Sequence, residues 1–99
     1  RAYVALRPHH WQIHVQLGHA VKEAGDVAAS LAHYRRAAEL APADPDPALQ
    51  EGHALRLLGR GHDAAIAMAR ALALDPTSRL LKREVALLHR SLVKHGFNA

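Results

Sequence analysis

Proline returns every 34 residues along this chain, at Pro8, Pro42 and Pro76, and each time a leucine stands two places before it, at Leu6, Leu40 and Leu74. The same interval separates Gly18 from Gly52, Gly25 from Gly59, Ala20 from Ala54 and Ala37 from Ala71. Such a period constrains the fold more than any single motif, because a unit of this length cannot bury its apolar face alone. Units must stack, and equivalent residues then recur in register along the stack.

Each unit reads as two helices. His14, Leu17, Gly18 and Val21 follow the i, i+3, i+4, i+7 spacing of a half-buried helix. Gly25 ends it, and Asp26 is placed to cap the next. That second helix runs from about Val27 to Leu40, with Leu31, Tyr34, Ala37 and Ala38 on one side, and stops before Pro42. Asp46 followed by Pro47 reads as the cap and first turn of a third helix, which runs through Leu55 to a stop at Gly59. The chain resumes near His62 and ends its fourth helix at Leu74. A last helix, about Ser78 to Lys94, has no partner after it. The expected organisation is a single domain, residues 1–99: the tail of a preceding unit (1–8), a first repeat (11–44), a second (45–78) and an unpaired or capping helix (79–99).

Composition agrees with a helical reading. Apolar residues make up 49% of the chain, but only 4% of it is aromatic, and alanine and leucine dominate. With no cysteine, neither a disulfide framework nor a thiolate zinc site can hold the fold. No apolar run approaches the roughly 18 residues of a membrane span, and no charged-then-apolar leader is visible, so a soluble, cytoplasmic protein is expected. Because the first residue is Arg1 and the only methionine is Met68, the sequence is expected to be part of a longer polypeptide. The net charge of +4 is uneven: residues 1–76 balance eight Lys and Arg against eight Asp and Glu, while 77–99 set five against one. A basic segment without interleaved aromatics is a poor nucleic-acid surface.

The 34-residue helix-turn-helix unit resembles the tetratricopeptide repeat. Against that family's W-x2-L-G-x2-Y, A-x3-F, A and P pattern, the first unit offers His14, Leu17, Gly18, Val21, Ser30, Tyr34, Ala37 and Pro42. The second offers Ala48, Glu51, Gly52, Leu55, Ala64, Met68, Ala71 and Pro76. The resemblance implies an all-α fold, a right-handed superhelical stack of antiparallel helix pairs, of a kind familiar in bacterial repeat proteins. Two residues depart from the pattern. Tyr3 stands where the other units have Ala37 and Ala71, and Glu51 stands where Leu17 does. A carboxylate at a core-facing position is costly unless an Arg or His pairs with it; local adjustment or partial exposure is expected there.

In a tetratricopeptide array the first helices of successive units line a concave groove, and this resemblance gives the polar residues a common setting. At 100° per residue, Gln12, Gln16, His19 and Glu23 lie opposite the apolar stripe. Their counterparts are Asp46, Gln50, His53 and Leu57, then Leu80, Glu84, Leu87 and Ser91. Three rows result: Gln16, Gln50 and Glu84; His19, His53 and Leu87; Lys22, Arg56 and Arg90. The cationic row calls for an acidic or carboxylate-ended peptide, and Leu57, Leu80 and Leu87 would add apolar surface for it to cover. Each row also has a simpler account. Lys22 and Arg56 lie in a last helical turn that favours cations, a duplicated repeat would retain the Gln and His pairs by descent, and adjoining repeats would cover the leucines. Val15 and His19 stand where the family's carboxylate-clamp grooves carry Lys and Asn, so that type of binding is not expected. The Gln row is more similar to the Asn ladder of repeats attached to glycosyltransferases.

The expected function is a protein-interaction and assembly module, with Gln16, His19, Lys22, Gln50, His53, Arg56 and Arg90 contacting a peptide or protein segment. The alternative is an accessory domain of a larger enzyme, a bacterial glycosyltransferase. A homo-oligomer is also expected, through Leu81, Val85, Leu88 and Leu92 of the last helix. No catalytic motif is present, neither G-x-S-x-G, nor a phosphate-cradling loop, nor H-E-x-x-H. His10 and His14, four apart with His9 adjacent, make only a partial metal set, so no cofactor or metal is expected. Asp26, Asp46 and Asp63 are expected as helix caps. His19 and His53, beside Lys22 and Arg56, should resist protonation.

Overall fold

The computed structural model describes residues 10–94. Five helices follow one another: α1 (Trp11–Glu23), α2 (Val27–Leu40), α3 (Pro45–Leu57), α4 (Gly61–Leu74) and α5 (Arg79–Lys94). There is no strand among the described residues. The sequence period reappears in the helix limits, since α3 begins and ends 34 residues after α1, and α4 likewise after α2. Two preceding-unit features, the segment 1–8 and Tyr3, lie outside the described residues.

Short connections force neighbouring helices to run antiparallel and pack pairwise. The substantial packing is between consecutive elements, α1 on α2, α2 on α3, α3 on α4 and α4 on α5. The molecule measures 51 × 32 × 18 Å, with a radius of gyration of 14.3 Å. A spherical domain of this length would have one of about 13 Å.

Within each hairpin the turn has the same construction. The Gly25 N–H donates to the Lys22 carbonyl and the Asp26 N–H to that of Val21, both at 2.9 Å. Gly59 and Arg60 repeat the pattern onto Arg56 and Leu55. These paired bonds satisfy the last carbonyls of the helix but need a left-handed residue, and Gly25 (φ 99°) and Gly59 (φ 78°) supply it. Asp26 then caps α2, its carboxylate accepting from the Ala29 N–H at 2.9 Å. Ser78 caps α5 in the same way, through the Leu81 N–H.

Hairpin α1–α2 closes on Gly18. A Cβ there would lie 2.5 to 3.0 Å from three ring atoms of Tyr34, so the absent side chain is what lets the helices approach. Gly52 plays the same part for Met68 in α3–α4. Around these contacts, Val15, Leu31, Tyr34, Ala37, Leu49, Leu55, Ala64, Met68 and Ala71 form a continuous core.

Four sequence expectations need correction. The cap of α3 is Asp44, which accepts from the Asp46 N–H at 2.9 Å with Pro45 opening the helix, so Asp46 lies in the first turn. Asp63 pairs with Arg60 at 2.7 Å and does not cap α4. Leu17 is 44% exposed, and the buried residues of α1 are Val15 and Gly18, with His14 and Val21 half-buried. The counterpart of Leu17, Glu51, is buried, because α2 of the preceding hairpin lies over that side of α3. Glu51 is therefore not partly exposed, and the pairing that its burial requires is present: Arg35 Nε from α2 donates to one carboxylate oxygen at 3.2 Å and Arg70 Nη2 from α4 to the other at 2.6 Å.

Candidate functional site

On the polar face of α1, the half-buried His19 has its Nδ1 2.6 Å from the Tyr34 hydroxyl. Their rings meet edge to face, centroids 5.4 Å apart. One turn on, Lys22 places its Nζ 5.6 Å from the centre of the same ring, within reach of the attraction between a cation and an aromatic face. Burial raises the Tyr34 phenol above its ordinary value of 10.0, with Asp46 and Glu23 adding in the same direction. It therefore stays protonated at neutral pH.

The second unit starts from the same frame and arrives elsewhere. Met68 stands where Tyr34 does and has no hydroxyl, so His53 finds a different partner: Arg56 Nη2 lies 3.3 Å from its Nδ1. A guanidinium only donates, so Nδ1 is the acceptor and the neutral ring carries its proton on Nε2. Partial burial depresses the His53 pKa below 6.5, opposed by Glu84 and then reinforced by Arg56 and Lys22, with Asp46 opposing last. Those groups sit on three different helices, Lys22 on α1, Asp46 and Arg56 on α3 and Glu84 on α5. Gln50, half-buried, donates its Nε2 to Asp46 at 3.2 Å.

Of the seven residues expected as contacts, five fall into this network: His19 and Lys22 around Tyr34, Gln50 on Asp46, and His53 with Arg56. Gln16 is exposed on α1. Arg90 lies towards the end of α5, beside a shallow depression shared with Ala86, His89, Val93 and Lys94. The cationic row is therefore less bare than the sequence suggests, since Lys22 has the Tyr34 ring and Arg56 has His53. The leucines expected at the surface are there: Leu57, Leu80 and Leu87 are all exposed. Of the α5 residues expected to meet another copy, Leu81 and Leu88 are buried in this chain's own core, and Val85 and Leu92 are partly buried against it.

Sequence reasoning placed Asp46 and Glu84 on this face without counting them among the contacts, and it missed Tyr34 as a member of the site. Tyr34 was legible only as core, since its position on the buried stripe conceals where the hydroxyl ends. Pairing it with Gly18, the small residue it must approach, would have placed that hydroxyl beside the next residue, His19.

No group of three or more His, Asp or Glu side chains is placed to hold a metal among the described residues. No helix among them is long and apolar enough to cross a membrane. No protein-family model matches the chain, and no curated protein matches it significantly.

Proposed function

We propose that the chain is a tetratricopeptide-type binding module whose successive first helices present one surface to a protein segment. The observation that carries this reading is the setting of His53, where charges from α1, α3 and α5 bear on one imidazole. Side chains 34 or so residues apart share a neighbourhood, as stacking in register requires. The offset of 34 residues between the limits of α1 and α3, and of α2 and α4, supports the same arrangement.

The surface combines donors, Lys22 and Arg56, with carboxylates, Asp46 and Glu84, and with exposed Leu57, Leu80 and Leu87. Such a mixture suits an extended or helical segment held by several small contacts, with charge setting its direction. The basic groups lie towards the helix C-termini and Asp46 towards the N-termini, so the segment's acidic side chains face Lys22 and Arg56.

The test is selection of a displayed random peptide library on the intact chain, followed by binding of the selected peptides to a His53→Ala/Arg56→Ala double variant. At least a tenfold loss of affinity is expected. Peptides that bind the double variant as tightly as the wild type would remove this surface from the proposal.

A further inference from the structure

Between the N-terminal ends of α3 and α5 lies a cleft of about 160 Å³. Leu49 and Leu81, both almost fully buried, form its floor; Leu80, 55% exposed, forms a wall; Pro45, Asp46 and Asp75 complete the rim. Sites that hold whole small molecules run to roughly 300 to 1,000 Å³. This one has room for a single side chain.

The repeat shows which kind. Thirty-four residues before Pro45 stands Trp11, the first residue of α1 as Pro45 is of α3. Trp11 shares a helix face with Val15 and Gly18 and packs against the core. Pro45 holds the same register position and is far smaller than tryptophan, and the cleft opens beside it. Other substitutions change the character of that space: Leu80 stands where Asp46 does, Leu81 where Pro47 does, and Asp75 where Ala41 does. An apolar floor is thereby set beside two carboxylates. Among the described residues, Asp46 accepts from the Gln50 amide and Asp75 from the Thr77 hydroxyl, and neither forms an ion pair.

We infer that this cleft is an anchor subsite taking one aromatic side chain, carried next to a basic residue, of the protein segment bound on the adjoining surface. The inference rests on the binding role proposed above and adds the chemistry of one contact. The ring takes the register position that Trp11 holds one unit earlier, and the adjacent cation meets Asp46 and Asp75. A buried aromatic anchor in a small pocket is where interfaces concentrate their affinity.

Tryptamine, an indole with an ammonium group, serves as the probe, and indole-3-propionate as its anionic counterpart. Titration of the intact chain with tryptamine, followed by NMR, is expected to give saturable shifts of the Leu49, Leu80 and Leu81 methyls, with at least severalfold weaker binding of the propionate. Pro45→Trp, which fills the cleft from within, is expected to abolish them. Leu80→Arg places a cation at the exposed wall and gives the same result if Pro45→Trp fails to fold. Absence of saturable shifts, equal binding of the anion, or unchanged binding to folded Pro45→Trp would each overturn the subsite. Peptides selected on the wild-type chain separate the two ideas. If they tolerate Pro45→Trp or Leu80→Arg but not His53→Ala/Arg56→Ala, the subsite falls and the binding surface stands; if they tolerate both, the surface falls as well.

Discussion

His19 and Tyr34 meet at 2.6 Å, nitrogen to hydroxyl, across the two helices of the first hairpin, whereas their counterparts His53 and Met68 cannot form that bond. One difference in a buried residue thus redirects the polar surface above it. Tyr34 holds His19 and underlies Lys22; with methionine in its place, His53 turns to Arg56. Tyr34→Phe keeps the ring against Gly18 and removes only the hydroxyl. It is expected to cost about 0.5 to 1.5 kcal/mol and to free the His19 ring, measured by chemical denaturation and by the His19 imidazole nitrogen shifts.

The two close-approach glycines should respond differently to alanine. Alanine is the better helix former by up to about 1 kcal/mol, but at position 18 its Cβ would press on a rigid aromatic ring, at position 52 on a flexible thioether. Overpacking against a ring that cannot yield costs about 1 to 3 kcal/mol. Gly18→Ala should therefore be the more destabilising of the two, with Gly52→Ala near neutral. Thermal melting of the pair decides it, and equal melting temperatures would show that the Tyr34 ring yields as easily as Met68.

Glu51 ties α3 to both α2 and α4, yet its partners Arg35 and Arg70 are each 48% exposed. Glu51→Gln keeps the shape and loses the charge, and is expected to cost about 1 to 3 kcal/mol. Glu51→Leu, which copies Leu17 of the first unit, leaves the arginines free to reach water and should lie within about 1 kcal/mol of wild type, as apolar replacements of buried ion pairs often do. Denaturant unfolding of both variants distinguishes an ion pair that sets the register from one that only satisfies a buried carboxylate.

Acid should weaken the fold through His53. Its pKa is depressed in the folded chain, by burial first, against 6.5 when unfolded. The unfolded chain then binds the proton more readily, so this contribution is intact above about pH 6.5 and is lost as pH falls through the folded value. His53→Gln is expected to flatten that part of the stability profile. By NMR titration, Glu84→Gln should lower the His53 pKa further and Arg56→Met should raise it.

Much of the fold could be read from residues alone, because glycine and proline act through backbone geometry that needs no tertiary context. Gly25 and Gly59 stop helices wherever the chain goes next, and Asp26 caps the one that follows. The start of α3 was ambiguous because "ADPDP" offers two Asp-Pro pairs in succession. The earlier pair prevails, which keeps Pro45 and Pro47 both in the first turn, where neither has an N–H to be missed. Leu17 and Glu51 could not be told apart by pattern, since burial at this position depends on what packs over it, and over Glu51 that is α2, through Arg35. The same dependence hid the site: single-helix periodicity placed Gln16, His19 and Lys22 on one face, but only packing shows that Tyr34 reaches that face and that α1, α3 and α5 bring Lys22, Asp46 and Glu84 around His53.

The central claim is that equivalent residues of successive first helices make one binding surface. Chemical-shift mapping of a selected peptide on the isotope-labelled intact chain tests it most directly. The account predicts perturbation of His19, Lys22, His53, Arg56 and Glu84 together, from three different helices. Shifts gathered instead around Arg36 on α2 and the exposed Ile66 on α4, with those five unmoved, would contradict it.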